Sequence, residues 1–182
     1  IFDCDGTLVE SAEAHFRAMH AASVDQGCAM TRDWYLARTG LDRIGLFEAF
    51  RRQCSPALDV DRAVRVSIAA FSRQLAHIHP IADTIALFHA LNARQFPIAV
   101  ATNADREVAR QSLMAVGLLK DLGDLISISA AVPPKPAPDM FQLAATRLGL
   151  HHQDIAVFED SPQGVAAALS AGMTVFQIDH RD

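Results

Sequence analysis

The sequence predicts a doubly wound α/β domain, a parallel sheet with helices on both faces, carrying a helical insertion after its first strand. Three observations point there. Short apolar runs rich in β-branched residues recur along the chain. Between them lie stretches of helical period, each closed by a glycine. The section from about Glu13 to His79 breaks this rhythm, with helical spacing and no convincing strand.

The strand candidates are Ile1-Phe2, Pro97 to Ala101, Leu125 to Ile128, Ile155 to Phe158 and Met173 to Ile178. Apolar runs without polar alternation suit strands buried on both faces of a parallel sheet. Arg106 to Val116 places Val108, Ser112, Ala115 and Val116 around one helical face and meets Gly117. Pro138 to Leu148 ends at Gly149, and Pro162 to Ala171 ends at Gly172. Glycine just past the last turn is a common helix terminator, and strand–helix–strand alternation defines the α/β class. The insertion shows helical spacing at Phe16, Met19, His20 and Ser23, and again at Ile44, Phe47, Ala49 and Phe50, with a turn at Cys54-Ser55-Pro56. The expected division is 1–12 and 80–182 for the sheet domain and 13–79 for the helical insertion.

Composition limits what such a domain can do. Of 182 residues, 51% are apolar and 20% charged, a globular balance rather than a disordered one. No apolar run reaches the ~18–20 residues of a membrane helix. A net charge of −5 argues against a nucleic-acid partner. Cys4, Cys28 and Cys54 are odd in number and lack C-x-x-C spacing, which suits free thiols in a reducing cytoplasm better than a disulfide or zinc framework. The chain opens at Ile1, without Met and already inside a strand-like run, so a few upstream residues are expected; no signal segment is visible. Charge is uneven. From Glu13 to His79, nine arginines against seven acids give +2, leaving −7 for the rest. Such a segment is either a basic face toward an anionic ligand or a solvated surface with ordinary Arg–Asp pairing.

The ends of the strands carry the chemistry. Asp3-Cys4-Asp5-Gly6-Thr7 follows the first, Thr102-Asn103 the second, Pro134-Lys135-Pro136 the third, and Glu159-Asp160-Ser161 the fourth. Open α/β sheets bind ligands beyond the carboxyl ends of their strands. Alone, D-x-D-G is equally a polar turn, and it fails as a calcium loop because glycine is misplaced for one. Prolines on both sides of Lys135 stiffen its approach. Each residue alone could be a solvated loop side chain; four such groups on one sheet edge make a site.

These segments resemble the haloacid dehalogenase superfamily of phosphohydrolases, in its helical-capped branch with β-phosphoglucomutases and sugar-phosphate and phosphoglycolate phosphatases. The text that carries the resemblance is IFDCDGTLVESAEAHFRAMH (1–20), ATNADREVARQSL (101–113), KPAPDMFQLAATRLGL (135–150) and VFEDSPQGVAAALSAGM (157–173). It implies Asp3 as nucleophile forming an aspartyl-phosphate and Asp5 as the acid, then base, that serves leaving group and water. It implies Mg²⁺ on Asp3, the Asp5 carbonyl and Asp160, with Glu159 as a further partner directly or through water. Lys135 and Thr102 would hold the phosphoryl oxygens, joined by Asn103 and by free amides at Gly6 and Thr7 at the start of the next helix. His15 is either a structural histidine or a substrate or acid–base contact. Arg43 is either a surface arginine or the group that meets the far end of the substrate.

The expected activity is hydrolysis of small phosphorylated metabolites by a monomer, with β-phosphoglucomutase-like transfer as the alternative. The β-phosphoglucomutases it resembles carry a substrate-contacting cap lysine; the insertion has none, although Arg62 or Arg65 could stand in imperfectly. The missing lysine also excludes a phosphonatase, and the presence of Asp5, Glu159 and Asp160 disfavours a dehalogenase. A phospho-accepting signalling domain has its acids and lysine in a different order. No Gly-x-Gly, G-x-x-x-x-G-K-[ST] or G-x-S-x-G occurs, so nucleotide-binding and serine-hydrolase readings lack support.

Overall fold

A computed structural model describes residues 1–128 and 132–179. The chain enters the sheet at Ile1-Phe2 and then turns into β1 (Val9–Glu10), which pairs antiparallel with β2 (His79–Pro80). This ribbon carries the chain out to α1 (Ala12–Val24), α2 (Arg32–Leu36), α3 (Arg43–Gln53) and α4 (Val60–Phe71), and back again. There follow α5 (Ala82–Ala93), β3 (Ala99–Thr102), α6 (Arg106–Ala115), β4 (Asp124–Ser127), α7 (Asp139–Leu148), β5 (Ala156–Glu159), α8 (Pro162–Ser170) and β6 (Thr174–Gln177).

β3 runs parallel to β4, and β5 runs parallel to β6. Phe2 joins the two pairs by parallel bridges to Val100 and Phe158. Its amide donates to the Ala99 carbonyl and its carbonyl accepts from Ala101, both at 2.9 Å. The spatial order is therefore β4–β3–Phe2–β5–β6, and the residues just past Phe2 lie at the middle of the sheet's carboxyl edge. Alternate side chains face opposite ways, as the strand period requires. Phe2, Val100 and Leu125 pack on one face with Phe88 of α5 and Val108, Ala109 and Leu113 of α6. Ala99, Ala101, Ile126 and Val157 pack on the other with Met140 and Phe141 of α7 and Ala167 of α8. The cap helices enclose a third core around Met30, Phe47, Phe50 and Leu58. Their starts are capped as the sequence allows: Asp42 accepts from Gly45 N at 2.8 Å and Asp59 from Arg62 N at 3.0 Å.

Doubly wound α/β architecture with a helical cap is what the sequence predicts, with local corrections. The first run makes single bridges rather than a regular strand. The β1–β2 ribbon and α5 are additional elements. β6 is an edge strand with Thr174, Phe176 and Gln177 exposed, so it is not buried on both faces. On α6 the buried face is Val108, Ala109, Ser112 and Leu113, and Ala115 points outward. On α3 the apolar Ile44 is 53% exposed while its neighbour Arg43 is 6% exposed, an inversion that the cleft explains below. Among the described residues no helix is long and apolar enough to cross a membrane.

Phe88 is fully buried against Phe2, with ring centroids 5.7 Å apart, and Phe2 stacks on Phe158 at 4.7 Å. Phe88→Ala should cost about 3–5 kcal/mol of folding stability by opening a cavity behind the central residue of the sheet. Urea unfolding measures this; an unchanged midpoint would show that α5 contributes little to the core.

Candidate active site

Lys135 is the point where the strand ends meet. Its ammonium lies 2.6 Å from Asp3 Oδ1 and 2.6 Å from Glu159 Oε1, and the residue is only 5% exposed. The lysine is positioned by its neighbours. Asn103 accepts from the Lys135 amide at 2.8 Å and donates to its carbonyl at 3.2 Å, tying the end of β3 to the loop before α7. The Phe141 ring lies 5.0 Å beneath the ammonium, within cation–π range. Burial pushes the Lys135 pKa down, but the Asp3 and Glu159 charges outweigh it and the net shift is upward. Lys135 is therefore a fixed cation.

Glu159 stands at the end of β5 and is 1% exposed. Its second oxygen accepts from the Ser161 amide at 2.7 Å and hydroxyl at 2.9 Å. Ser161 also caps α8 by accepting from Gly164 N at 3.0 Å. A Cβ on Gly164 would overlap the Glu159 carboxylate, so only glycine lets α8 approach this closely. Both Glu159 oxygens are thus engaged, one with Lys135 and the other with Ser161.

Asp3 follows Phe2 and its amide donates to the Phe158 carbonyl at 2.9 Å. Burial, the largest influence, together with Glu159 and Asp160, holds its carboxyl well above the usual range against the pull of Lys135. Asp160 accepts from the Thr7 hydroxyl at 3.1 Å. It also fills the space where a Gly6 side chain would stand, and Gly6 holds φ +86°, a conformation other residues rarely adopt. The turn at Cys4–Val9 spends the amides expected for a phosphate cradle: Gly6 N donates to the Val9 carbonyl at 2.7 Å and Thr7 N to the Cys4 carbonyl at 3.3 Å. The first helix begins only at Ala12, so no helix N-terminus sits at Gly6-Thr7. Asn103 is likewise drawn to the Lys135 main chain. Thr102 is buried, and its hydroxyl oxygen accepts from Ala104 N at 3.1 Å.

Asp5 faces the cap. Ser11 donates to it at 2.5 Å, and His15 Nε2 lies 3.1 Å from the same oxygen. Partial burial raises the Asp5 pKa, but the His15 ring, the Ser11 hydroxyl and Arg43 behind them lower it overall. His15 Nδ1 is 3.4 Å from Arg43 Nη2. His15 therefore lies between Asp5 and Arg43, with one ring nitrogen toward each. Arg43 in turn donates from Nε to Asp105 Oδ2 at 2.8 Å and from Nη1 to the Ser67 hydroxyl at 2.9 Å. The buried arginine of α3 is thus a bridge between cap and sheet domain.

These groups line one cleft of about 440 Å³, within the usual range for small-molecule sites. All the sequence-predicted residues border it except Thr7, which sits beneath Asp160. The basic cap does not. Among the described residues only Arg43 of the cap arginines lines the cleft. Arg17, Arg51 and Arg62 pair on the outside with Glu13, Glu48 and Asp25, and Arg65 is exposed. Sequence reasoning missed Ser11, Ser67, Asp105 and Gly164. A Ser-Pro pair at a helix start does mark Ser161 as an N-cap, but nothing local marks Asp105 as the partner of a residue 62 positions away.

An acid–lysine cluster at the edge of a parallel sheet, beneath helices inserted after its first strand, marks a capped α/β domain. A family model described as haloacid dehalogenase-like hydrolase matches residues 1–178, and the chain belongs to that family. A fructose-1-phosphate phosphatase of Escherichia coli (strain K12) is 26% identical over 98% of this chain and 94% of its own length. Protein CbbY of Rhodobacter capsulatus is 32% identical over 96% of this chain and 82% of its own length. A solved structure of CbbY from Rhodobacter sphaeroides, in complex with phosphate, shares the fold with a TM-score of 0.86 at 24% identity, covering 100% of this chain and 88% of that one.

Lys135→Met would leave Asp3 and Glu159 buried without their cation, at a cost of about 3–5 kcal/mol in folding stability. The Asp3 carboxyl is already raised by burial and its acidic neighbours. A raised carboxyl binds its proton more tightly in the folded state, so its contribution is present at low pH and is lost as pH rises through the folded pKa. In metal-free buffer the loss should be larger near about pH 8 than near about pH 5, by thermal unfolding. A pH-independent loss would mean that the cluster is not held by charge.

Proposed function

We propose that this protein is a Mg²⁺-dependent phosphatase that hydrolyses small phosphate monoesters of the sugar-phosphate type through an aspartyl-phosphate on Asp3. The observation that carries this reading is the Lys135 ammonium held between Asp3 and Glu159, a fixed positive charge beside a carboxylate at the carboxyl edge of a parallel sheet. Membership of the hydrolase family and the fructose-1-phosphate phosphatase among its relatives support the reaction class.

The donor set fits Mg²⁺. Asp3 and Asp160 are hard oxygen ligands close enough for Asp160 to raise the Asp3 pKa, and the missing side chain of Gly6 makes room beside Asp160. Among the described residues no three acidic, histidine or cysteine side chains already form a metal cage, but Mg²⁺ characteristically takes one or two carboxylates and completes its shell with water and phosphate. Asp3, the Asp5 carbonyl and Asp160 would hold it. When bound, it supplies the positive charge that offsets repulsion between the Asp3 carboxylate and a phosphate dianion.

In the first half-reaction an Asp3 oxygen bonds to phosphorus as the ester P–O bond breaks, and Asp5 protonates the leaving oxygen. In the second, Asp5 takes a proton from water, whose oxygen attacks phosphorus and releases Asp3 and inorganic phosphate. Lys135 keeps Asp3 oriented and balances equatorial oxygen charge, with Thr102 beside it. Without substrate, His15 and Ser11 stabilise the ionised Asp5, which is the base form. An arriving dianion opposes that stabilisation and favours the acid form that the first step needs. His15 is the residue that holds Asp5 in place. Segment 13–79 serves as the cap over 1–12 and 80–182. Transfer to a second sugar gains no support from the cap, because Arg62 and Arg65 lie outside the cleft.

Asp3→Asn should lower kcat by at least about a thousandfold and abolish the acid-stable trapped phosphoprotein. Excess EDTA should abolish turnover of the wild type. Full activity in either case would end the assignment.

Asp160→Ala should raise the Mg²⁺ concentration needed for half-maximal activity by at least about tenfold, since a hard ligand is lost. Asp5→Asn should leave Mg²⁺ affinity near that of the wild type while lowering kcat, because its metal contact is the backbone carbonyl. Metal titrations that weaken equally in both variants would contradict this division.

A further inference from the structure

We propose that Asp105 makes the site selective for phosphate monoesters whose far end is an uncharged polyol, by neutralising the cap arginine that would otherwise hold a second anionic group. This rests on the phosphatase reading above and adds the substrate class to it.

Arg43 is the one arginine among the described residues that lines the cleft, and it is 6% exposed. A buried guanidinium facing a ligand site normally marks a carboxylate or phosphate subsite. Here the charge is already answered. Nε donates to Asp105 Oδ2 at 2.8 Å, Nη1 to Ser67 at 2.9 Å, and Nη2 faces His15 Nδ1 at 3.4 Å. Asp105 sits at the N-cap of α6, where an aspartate usually accepts from an amide of the first turn. Its side chain makes no such bond and turns to Arg43 instead. The carboxylate belongs to the arginine, not to the helix.

The other cleft cation, Lys135, is held by Asp3 and Glu159. Six carboxylates border the same space: Asp3, Asp5, Glu10, Asp105, Glu159 and Asp160. One phosphoryl group would be held at the Asp3 end by Lys135 and, when bound, a divalent metal. A second phosphate or a carboxylate would meet the Asp105–Arg43 pair, net neutral, with Asp5 and Glu10 nearby. Hydroxyl groups fare differently. Arg43 has N–H groups beyond its three bonds, Glu10 offers an acceptor, and Tyr35 and Thr39 add hydroxyls among Leu36 and Leu41 on the wall. That lining suits a neutral sugar or sugar alcohol.

The experiment compares fructose 1-phosphate with fructose 1,6-bisphosphate and phosphoglycolate, in wild type, Asp105→Asn and Arg43→Gln/Asp105→Asn. kcat/KM is measured with Mg²⁺, and affinities are measured by calorimetry in the same proteins carrying Asp3→Asn. The wild type should favour fructose 1-phosphate by at least about tenfold in both readouts. Asp105→Asn keeps the size and capping capacity of the side chain but frees the Arg43 charge. It should shift the ratio toward the two esters that carry a second anionic group by roughly tenfold to hundredfold, the worth of one charged hydrogen bond. The double variant should lose that shift, which a merely structural role for Asp105 would not produce. Equal wild-type preference, an unchanged ratio in Asp105→Asn, or a shift that survives without Arg43 would each overturn the proposal. If Asp105→Asn does not fold, the wild-type ratio decides. Absence of turnover on every ester would overturn the phosphatase reading instead, and the affinity ratios would still decide this one.

Discussion

Two buried carboxylates cannot face each other without a cation, and the sheet edge of this protein is built around that constraint. Lys135 holds Asp3 and Glu159 apart and together at 2.6 Å each. Charges this close inside a protein interact strongly, and removing one leaves the others with an unmet desolvation cost. The surrounding choices follow from this. Asn103 fixes the lysine's main chain, Ser161 fixes the far side of Glu159, and Gly164 removes the one atom that would collide with it. Three strand ends and the loop before α7 are thereby locked into one geometry. A site assembled in this way is rigid before any ligand arrives, as preorganised electrostatic catalysis requires.

The cap is tied to this edge by a second, more open network. Asp5, His15, Arg43 and Asp105 form a line of hydrogen bonds that passes from the turn after Phe2 through α1 and α3 to the start of α6. The two networks share the D-x-D turn but differ in their effect on it. Burial and acidic neighbours raise Asp3, whereas His15, Ser11 and Arg43 lower Asp5. Two carboxylates two residues apart are thus driven in opposite directions.

The cap's net positive charge has a different meaning from the one its composition suggests. Most of its arginines form exposed pairs with acids on the same helices or their neighbours, interactions worth little each in water. The one that matters is buried, and its helix exposes Ile44 to achieve that. An apolar side chain is given to solvent so that a guanidinium can reach Ser67 and Asp105. Relatives at 26% and 32% identity match nearly the whole chain.

Much of the architecture is legible in local pattern, because strand burial, helix period and terminating glycines are properties of short segments. The D-x-D turn, Thr102, Lys135 and the Glu159-Asp160 pair are legible too, since each follows an apolar run that ends at the same edge of a parallel sheet. What local pattern cannot carry is which partner each polar group takes. Asn103 has the composition of a phosphate contact but spends its amide on Lys135, and Glu159 has that of a metal ligand but holds the lysine. The amides of Gly6 and Thr7 are used within their own turn. Arg43 and Asp105 lie 62 residues apart and meet only once cap and sheet domain are packed. The sequence by itself determined the fold class and most of the polar side chains that gather at the cleft, through periodicity and position at strand ends. Tertiary structure alone decided how charge is shared among them, because hydrogen bonds and ion pairs act over about 3 Å while the residues that make them are drawn from the whole chain.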